Sequence, residues 1–75
     1  MTSRPAEHLL WTLRKGPQQA EARDRMDATG PVLTVYVEGR LLWQQRGAAG
    51  DGARLGELAE EERRRMAASG WQIER

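Results

Sequence analysis

The side chains that could carry chemistry are few, and they lack partners. His8 is the only imidazole, and the chain contains no cysteine, so neither a disulfide nor a thiolate metal site can form. A nucleophile or a general base needs a second positioned group, and no serine or cysteine accompanies His8 in such an arrangement. We therefore interpret His8 as a surface or edge-strand residue. The sequence predicts no catalytic residues and a protein that is not an enzyme.

Acidic and glycine-rich segments are the next candidates for a metal or cofactor site. Asp24 and Asp27, or the glutamates of residues 60–62, could hold a hard cation. Neither group has the spacing of a calcium loop, and the glutamates are followed at once by three arginines, which predicts a self-paired, solvated helix face. The three glycines within residues 47–52 lack the lysine of a phosphate-binding loop. We expect no metal site and no cofactor.

Three tryptophans supply most of the large apolar volume in a chain without phenylalanine. Burying one tryptophan removes about 150–250 Å² from water, so a small core depends on where these rings lie. Trp11 and Trp71 are assigned to the core. For Trp43 the core and surface positions both remain open.

The alternatives for Trp43 follow from the hairpin that contains it. Glu38-Gly39 is a turn signal between two strand-like segments, and a two-residue turn places Tyr36 opposite Leu41. A regular ladder then places Trp43 on the same face as these two residues and away from Val35. Tyr36, Leu41 and Trp43 would form an exposed patch that anchors a protein partner.

Basic residues on the predicted strands form a second candidate surface. With Tyr36 and Trp43 they could bind nucleic acid, whereas the alternative is that they protect strand edges from aggregation. The balance of 12 Lys and Arg against 11 Asp and Glu argues against binding by overall charge. The candidate nucleic-acid residues are Arg14, Lys15, Arg23, Arg25, Arg40 and Arg46.

Hydropathy patterning predicts an α+β fold in a single domain, residues 1–75, with a loose N-terminus at residues 1–7. A three- or four-stranded antiparallel meander is packed on one face by one C-terminal helix. Residues 18–29 carry two conflicting signals, because composition favours a helix and the even-numbered small residues favour a strand. We interpret it as a strand. The expected strands are 9–14, 19–26, 32–37 and 40–46, and the expected helix is 53–69.

The ends and the buried face of this helix can also be read from the sequence. Asp51 is the candidate N-cap, and Gly70 stands where a left-handed residue ends a helix, so that Trp71 can fold back on Met66. Ion pairs four residues apart are expected for Glu60 with Arg64 and for Glu61 with Arg65. The predicted buried stripe is Leu55, Leu58, Ala59, Glu62 and Met66.

Short motifs along the chain carry a resemblance. Residues 11–16 (WTLRKG), residues 39–43 (GRLLW) and a charged helix ending in Gly70-Trp71 are similar to a group of uncharacterised small bacterial proteins. That group has a WxLRKG strand-turn, a GxLLW strand and a C-terminal helix ending in GW, and the resemblance covers about residues 9–71. The resemblance implies a fold, including a strand after the Lys-Gly turn, but it implies no activity.

Composition limits location and partners. The mean hydropathy of −0.77 excludes a membrane span, and no apolar segment follows the N-terminus as in a secretory signal. We expect a cytoplasmic protein. The lean core favours a homo-oligomer or a protein partner, and nucleic acid is the alternative partner. The expected function is a small non-catalytic interaction or accessory protein that uses the open face of its sheet.

Overall fold

The computed structural model describes residues 7–73, which form one antiparallel sheet and one helix. The α+β prediction is confirmed, with five strands in this part of the chain rather than three or four. The sheet order β4-β3-β2-β1-β5 is a meander extended by the C-terminal strand. Most of the predicted loose N-terminus, residues 1–6, lies outside the described residues. The elements are β1 (His8–Lys15), β2 (Gln18–Asp27), β3 (Gly30–Val37), β4 (Arg40–Arg46), α1 (Gly52–Ala68) and β5 (Gln72–Ile73).

The ambiguous segment is a strand, as the alternation predicted. In β2, Ala20 and Ala22 are fully buried and lie opposite Leu13 and Trp11 of β1. Glu21, which points to the other side, is half-buried. Helix propensity is worth a few tenths of a kcal/mol per residue, and pairing with strands on both sides outweighs it. Two small side chains on this face also leave room for the helix.

The core lies between α1 and one face of the sheet. Leu55, Ala59 and Met66 of the helix are buried against the sheet residues Trp11, Leu13, Ala20, Ala22, Leu33 and Val35. Each fully buried leucine contributes about 1.5–3 kcal/mol. The indole Nε1 of Trp11 donates a buried hydrogen bond of 2.9 Å to the Ala59 carbonyl, which fixes the helix on β1. Trp11 is thus a core residue, as predicted. The residues of the predicted helix stripe are also buried, except that Leu58 is partly buried.

The C-terminal end of α1 has the predicted geometry. Gly70 has φ +100°, its N–H donates to the Ala67 carbonyl, and the Trp71 N–H donates to the Met66 carbonyl at 3.1 Å. These two bonds are those of a Schellman motif. Trp71 packs against the core, and the chain then continues into β5 beside β1.

Two details of the helix differ from the sequence prediction. Asp51 occupies the N-cap position, but its side chain accepts from the Ala48 N–H at 3.0 Å instead of from the first turn of the helix. The ion pairs are three residues apart, Glu60 with Arg63 and Glu62 with Arg65, so the prediction of spacing four was wrong. The second pair is explained by the buried position of Glu62. Its carboxylate needs a partner, and the guanidinium of Arg65 can reach it from three residues further along the helix.

Candidate functional site

The hairpin of β3 and β4 begins regularly and then changes register. Glu38 and Gly39 both have positive φ, +54° and +74°, as a two-residue type I′ turn requires. Tyr36 lies opposite Leu41 as predicted, but Leu42 has no partner in the ladder. Leu42 is therefore a β-bulge, and every residue after it lies on the face opposite to that of a regular ladder.

The bulge moves Trp43 to the helix side of the sheet, so its predicted position on the open face was wrong. Trp43 lies opposite Val35, packs against the core and donates from its indole Nε1 to Glu62 Oε1 at 3.3 Å. Glu62 is only 6% exposed, and its carboxylate also accepts from Arg65 at 2.6–2.9 Å. Burial of the indole and a partner for a buried carboxylate favour the bulged register.

The predicted partner-binding patch is consequently divided. Tyr36 and Leu41 remain together on the open face, which is the face away from α1. Leu41 is 58% exposed and the bulged Leu42 is 52% exposed. The exposed apolar side chains of this face are thus Tyr36, Leu41 and Leu9, which lies opposite Arg23, without the largest predicted anchor.

The predicted basic residues are also divided between the two faces. Arg40 lies opposite Val37 and shares the helix side with Val35. Lys15 lies beside the C-terminal end of α1, where a Cβ on Gly70 would be 3.5 Å from its Cε. The single strip of six was wrong because neighbouring strand residues alternate between faces. The four arginines of the open face are Arg14, Arg23, Arg25 and Arg46.

Three of these arginines form a cluster at one end of the open face, which we call the arginine cluster: Arg23, Arg25 and Arg46. Arg25 and Arg46 flank Val32 from the strands on either side. Val32 is fully buried although no helix covers it, which is the effect of long side chains lying over the sheet. Thr34 is buried beside it and lies opposite Arg23.

Two carboxylates hold part of the arginine cluster. Glu21 binds Arg23 with two hydrogen bonds of 3.2 Å, and this hydrogen bonding raises the pKa of Arg23. Asp27 pairs with Arg46, and its pKa is lowered to about 2, first by the Thr29 backbone N–H and then by Arg46. Among residues 7–73, the side chain of Arg25 has neither an ion-pair nor a hydrogen-bond partner. The cluster therefore presents one uncommitted guanidinium between two that are paired.

A depression of about 230 Å³ lies at the other end of the open face. Its lining residues are Gln19, Glu21, Glu38 and Gly39, and Tyr36 lies opposite Glu21 in the ladder. Glu38 is fixed there because its N–H donates to the Gln19 carbonyl at 2.8 Å and its Oε1 accepts from the Gln19 N–H at 3.0 Å. Sequence reasoning missed these acidic residues, because only the register between β2 and β3 brings Gln19 and Glu38 together.

His8 is the first residue of β1 and is exposed, in agreement with its interpretation as a surface or edge-strand residue. Its Nδ1 is 3.5 Å from Asp24 Oδ1, and its side chain is 79% exposed. A second depression, of about 200 Å³, adjoins this pair and is lined in part by Met26 and Pro31. Among the described residues that line it, none carries a hydroxyl or thiol nucleophile.

Residues 7–73 hold no group of three or more His, Cys, Asp or Glu side chains that could bind a metal ion. Within the same range, α1 is neither long nor apolar enough to span a membrane.

The chain was compared with protein-family models, curated proteins and solved structures, and none of them matches it. The resemblance to small bacterial proteins thus rests on its motifs alone. Any functional interpretation depends on the open face and its chemistry.

Proposed function

We propose that this chain is a non-catalytic nucleic-acid-binding module and that the open face of its sheet is the binding surface. The observation that carries this proposal is the bulge at Leu42, which takes Trp43 away from that face. The face is left with four arginines against three carboxylates, whereas the apolar partner site expected first from the sequence loses its main anchor. A cysteine-free, polar chain of this kind supports a cytoplasmic location.

The charge distribution supports phosphate binding in spite of the near-neutral net charge. The chain carries +1 in total, and the open face carries four arginines against Glu21, Asp27 and Glu38, with three of the arginines gathered at one end. Arg25 has no partner to lose when a phosphate binds. Arg23 and Arg46 would each exchange a partly buried carboxylate, 29% exposed for Glu21 and 23% for Asp27, for a phosphate, so that one ion pair at the protein surface replaces another.

The test is binding of a fluorescently labelled oligonucleotide of about 12 nucleotides, a length within the range that small binding domains occupy. Anisotropy titrations at several salt concentrations give the binding constant at each. The logarithm of this constant plotted against the logarithm of the salt concentration should have a slope of about −2, because each of three phosphate contacts contributes about −0.7. The double variant Arg25→Gln/Arg46→Gln should reduce that slope by more than half.

The matched control is Arg54→Gln/Arg64→Gln on α1. These two arginines are exposed, and the change in net charge is identical. An equal loss of binding in both double variants would show a response to total charge and contradict a surface on the open face. Absence of binding at low ionic strength would contradict the proposed function itself.

Self-association is a second candidate function, favoured by Leu41, which is 58% exposed beside Tyr36. Two copies that meet through their open faces would bury this pair and would also cover Arg25. We expect a dimer, if it forms, to compete with nucleic acid. Light scattering behind size-exclusion chromatography tests this: a monomer at all concentrations, or a dimer unaffected by Leu41→Lys, excludes an open-face dimer.

A further inference from the structure

The open face has two chemically different ends. The arginine cluster occupies one end, and Glu21, Glu38 and Tyr36 surround the polar depression at the other. Arg25 and Glu21 are four residues apart on β2, which corresponds to about 13 Å along the strand. A ligand that covers the face must therefore present anionic groups to the arginine cluster and groups that are not anionic to the depression.

The depression at the other end is lined by carboxylates, which suit a base better than a phosphate. Glu38 offers carboxylate oxygens, which accept hydrogen bonds from the exocyclic amino groups of cytosine, adenine or guanine, and Glu21 adds acceptor capacity beyond its two bonds to Arg23. Thymine and uracil present carbonyl oxygens in the equivalent place, so the same carboxylates disfavour them. Tyr36 lies next to Glu21 and is half-exposed, so its ring can stack on a base.

A base reaches this depression only from a single strand. In a duplex the bases are stacked and paired, and a protein reads their edges by inserting a helix or a two-stranded ribbon into a groove. Here α1 lies on the opposite side of the sheet, and the face itself is built from adjacent strands. Unpaired bases, by contrast, stack readily on aromatic side chains of a sheet.

From this division we infer that the ligand is single-stranded nucleic acid, with one amino-bearing base in the depression beside Tyr36 and its phosphates along the arginine cluster. The inference rests on the proposed function and adds strand type, orientation and base preference to it. It also assigns Glu38 and Tyr36 as specificity-determining residues, where the arginines supply affinity.

The experiment compares labelled oligo(dC), oligo(dT) and a mixed-sequence duplex of equal length at neutral pH. We expect oligo(dC) to bind about 5–10-fold more tightly than oligo(dT), because one hydrogen-bonded base contact discriminates between bases by about this factor. The duplex should bind more weakly than either single strand. Tyr36→Leu should weaken single-strand binding by about tenfold, whereas Tyr36→Phe retains the ring and the affinity. Glu38→Gln should remove the preference for oligo(dC) without weakening oligo(dT).

The controls separate this inference from the proposed function. Far-UV circular dichroism and a urea midpoint establish that each variant is folded, and Glu38→Gln keeps a side chain that can accept from the Gln19 N–H. Equal affinity for the two homopolymers, equal or tighter binding of the duplex, or no effect of Tyr36→Leu would each overturn the inference. In those cases the proposed function stands as long as binding still depends on salt and on Arg25. Failure of every oligonucleotide to bind overturns both.

Discussion

The bulge at Leu42 can be tested by deleting one residue from β4. Leu41 and Leu42 are adjacent, so removing either leaves the same sequence with a single leucine. That leucine takes the place opposite Tyr36, and Trp43 keeps its place opposite Val35. All later pairs of β4 are unchanged. We therefore predict that the deletion closes the bulge and leaves the fold intact.

The expected change in unfolding free energy is small. The side chain of Leu42 is 52% exposed, so about half of a leucine's burial energy is lost, roughly 0.8–1.5 kcal/mol. Closing the ladder brings residues into regular pairing, and one hydrogen bond contributes about 0.5–1.5 kcal/mol. The two terms nearly cancel, and urea denaturation should place the variant within about 1 kcal/mol of the parent chain.

The chain offers a matched control in the adjacent glutamines Gln44 and Gln45. Deleting one of them also shortens β4 by a single residue, but it moves Ala48 into the place of Gly47, where a Cβ would lie 2.9 Å from the Asp51 Cβ. It also disrupts the 2.9 Å bond from the Gly47 N–H to the Pro31 carbonyl. We expect a loss of more than about 2 kcal/mol. If both deletions destabilise the chain equally, Leu42 is not a bulge and the assignment of Trp43 to the helix side is refuted.

Four further changes test other parts of the fold. Glu62→Ala should lower the free energy of unfolding, measured by urea denaturation, by about 2 kcal/mol because a buried, hydrogen-bonded carboxylate is removed. A smaller decrease than that caused by an alanine substitution at an exposed position of the helix would contradict this. The pKa of Asp27 falls from 3.8 to about 2 on folding, through the Thr29 N–H first, so its stabilisation is complete above pH 3.8 and is lost as the pH falls towards 2. In an Asp27→Asn variant the stability should no longer fall between pH 3.8 and pH 2 through this group. If the dependence of stability on pH is the same as in the parent chain, the role of Asp27 is contradicted. Gly70→Ala should cost about 1–2 kcal/mol for its left-handed backbone alone, since the nearest side-chain atom would be 3.5 Å away. Removal of residues 70–75 should lower the melting temperature far more, and an unchanged melting temperature would show that Trp71 does not close the core.

Local patterns were sufficient for most of the fold. The strand boundaries shifted by at most two residues, and the helix by one, because turns at Gly16 and Gly39 and the cap at Gly70 are set by backbone conformations that glycine adopts readily. The alternation of Ala20 and Ala22 identified β2 against its helical composition. Each of these signals lies within a few neighbouring residues.

The elements that escaped prediction depend on distant contacts. The short strand β5 exists because the Schellman turn directs Gln72 and Ile73 alongside β1, and nothing in two residues indicates a strand. The change of register at Leu42 depends on α1, which offers Trp43 a core to pack against and Glu62 as a hydrogen-bond acceptor. A sequence pattern within the hairpin alone carries no information about either partner.

One residue of register therefore decides both the core and the candidate site. With a regular ladder, Trp43 would lie on the open face and Glu62 would be left without the indole N–H, so the helix side would lose packing while the open face gained an apolar anchor. The bulge reverses both effects. It leaves Gln44 beside Thr34 and Arg46 beside Val32 on the open face, where Arg46 completes the arginine cluster with residues of β2. The packing of the helix thus determines which side chains the opposite face presents, and the proposal of a nucleic-acid surface depends on that register.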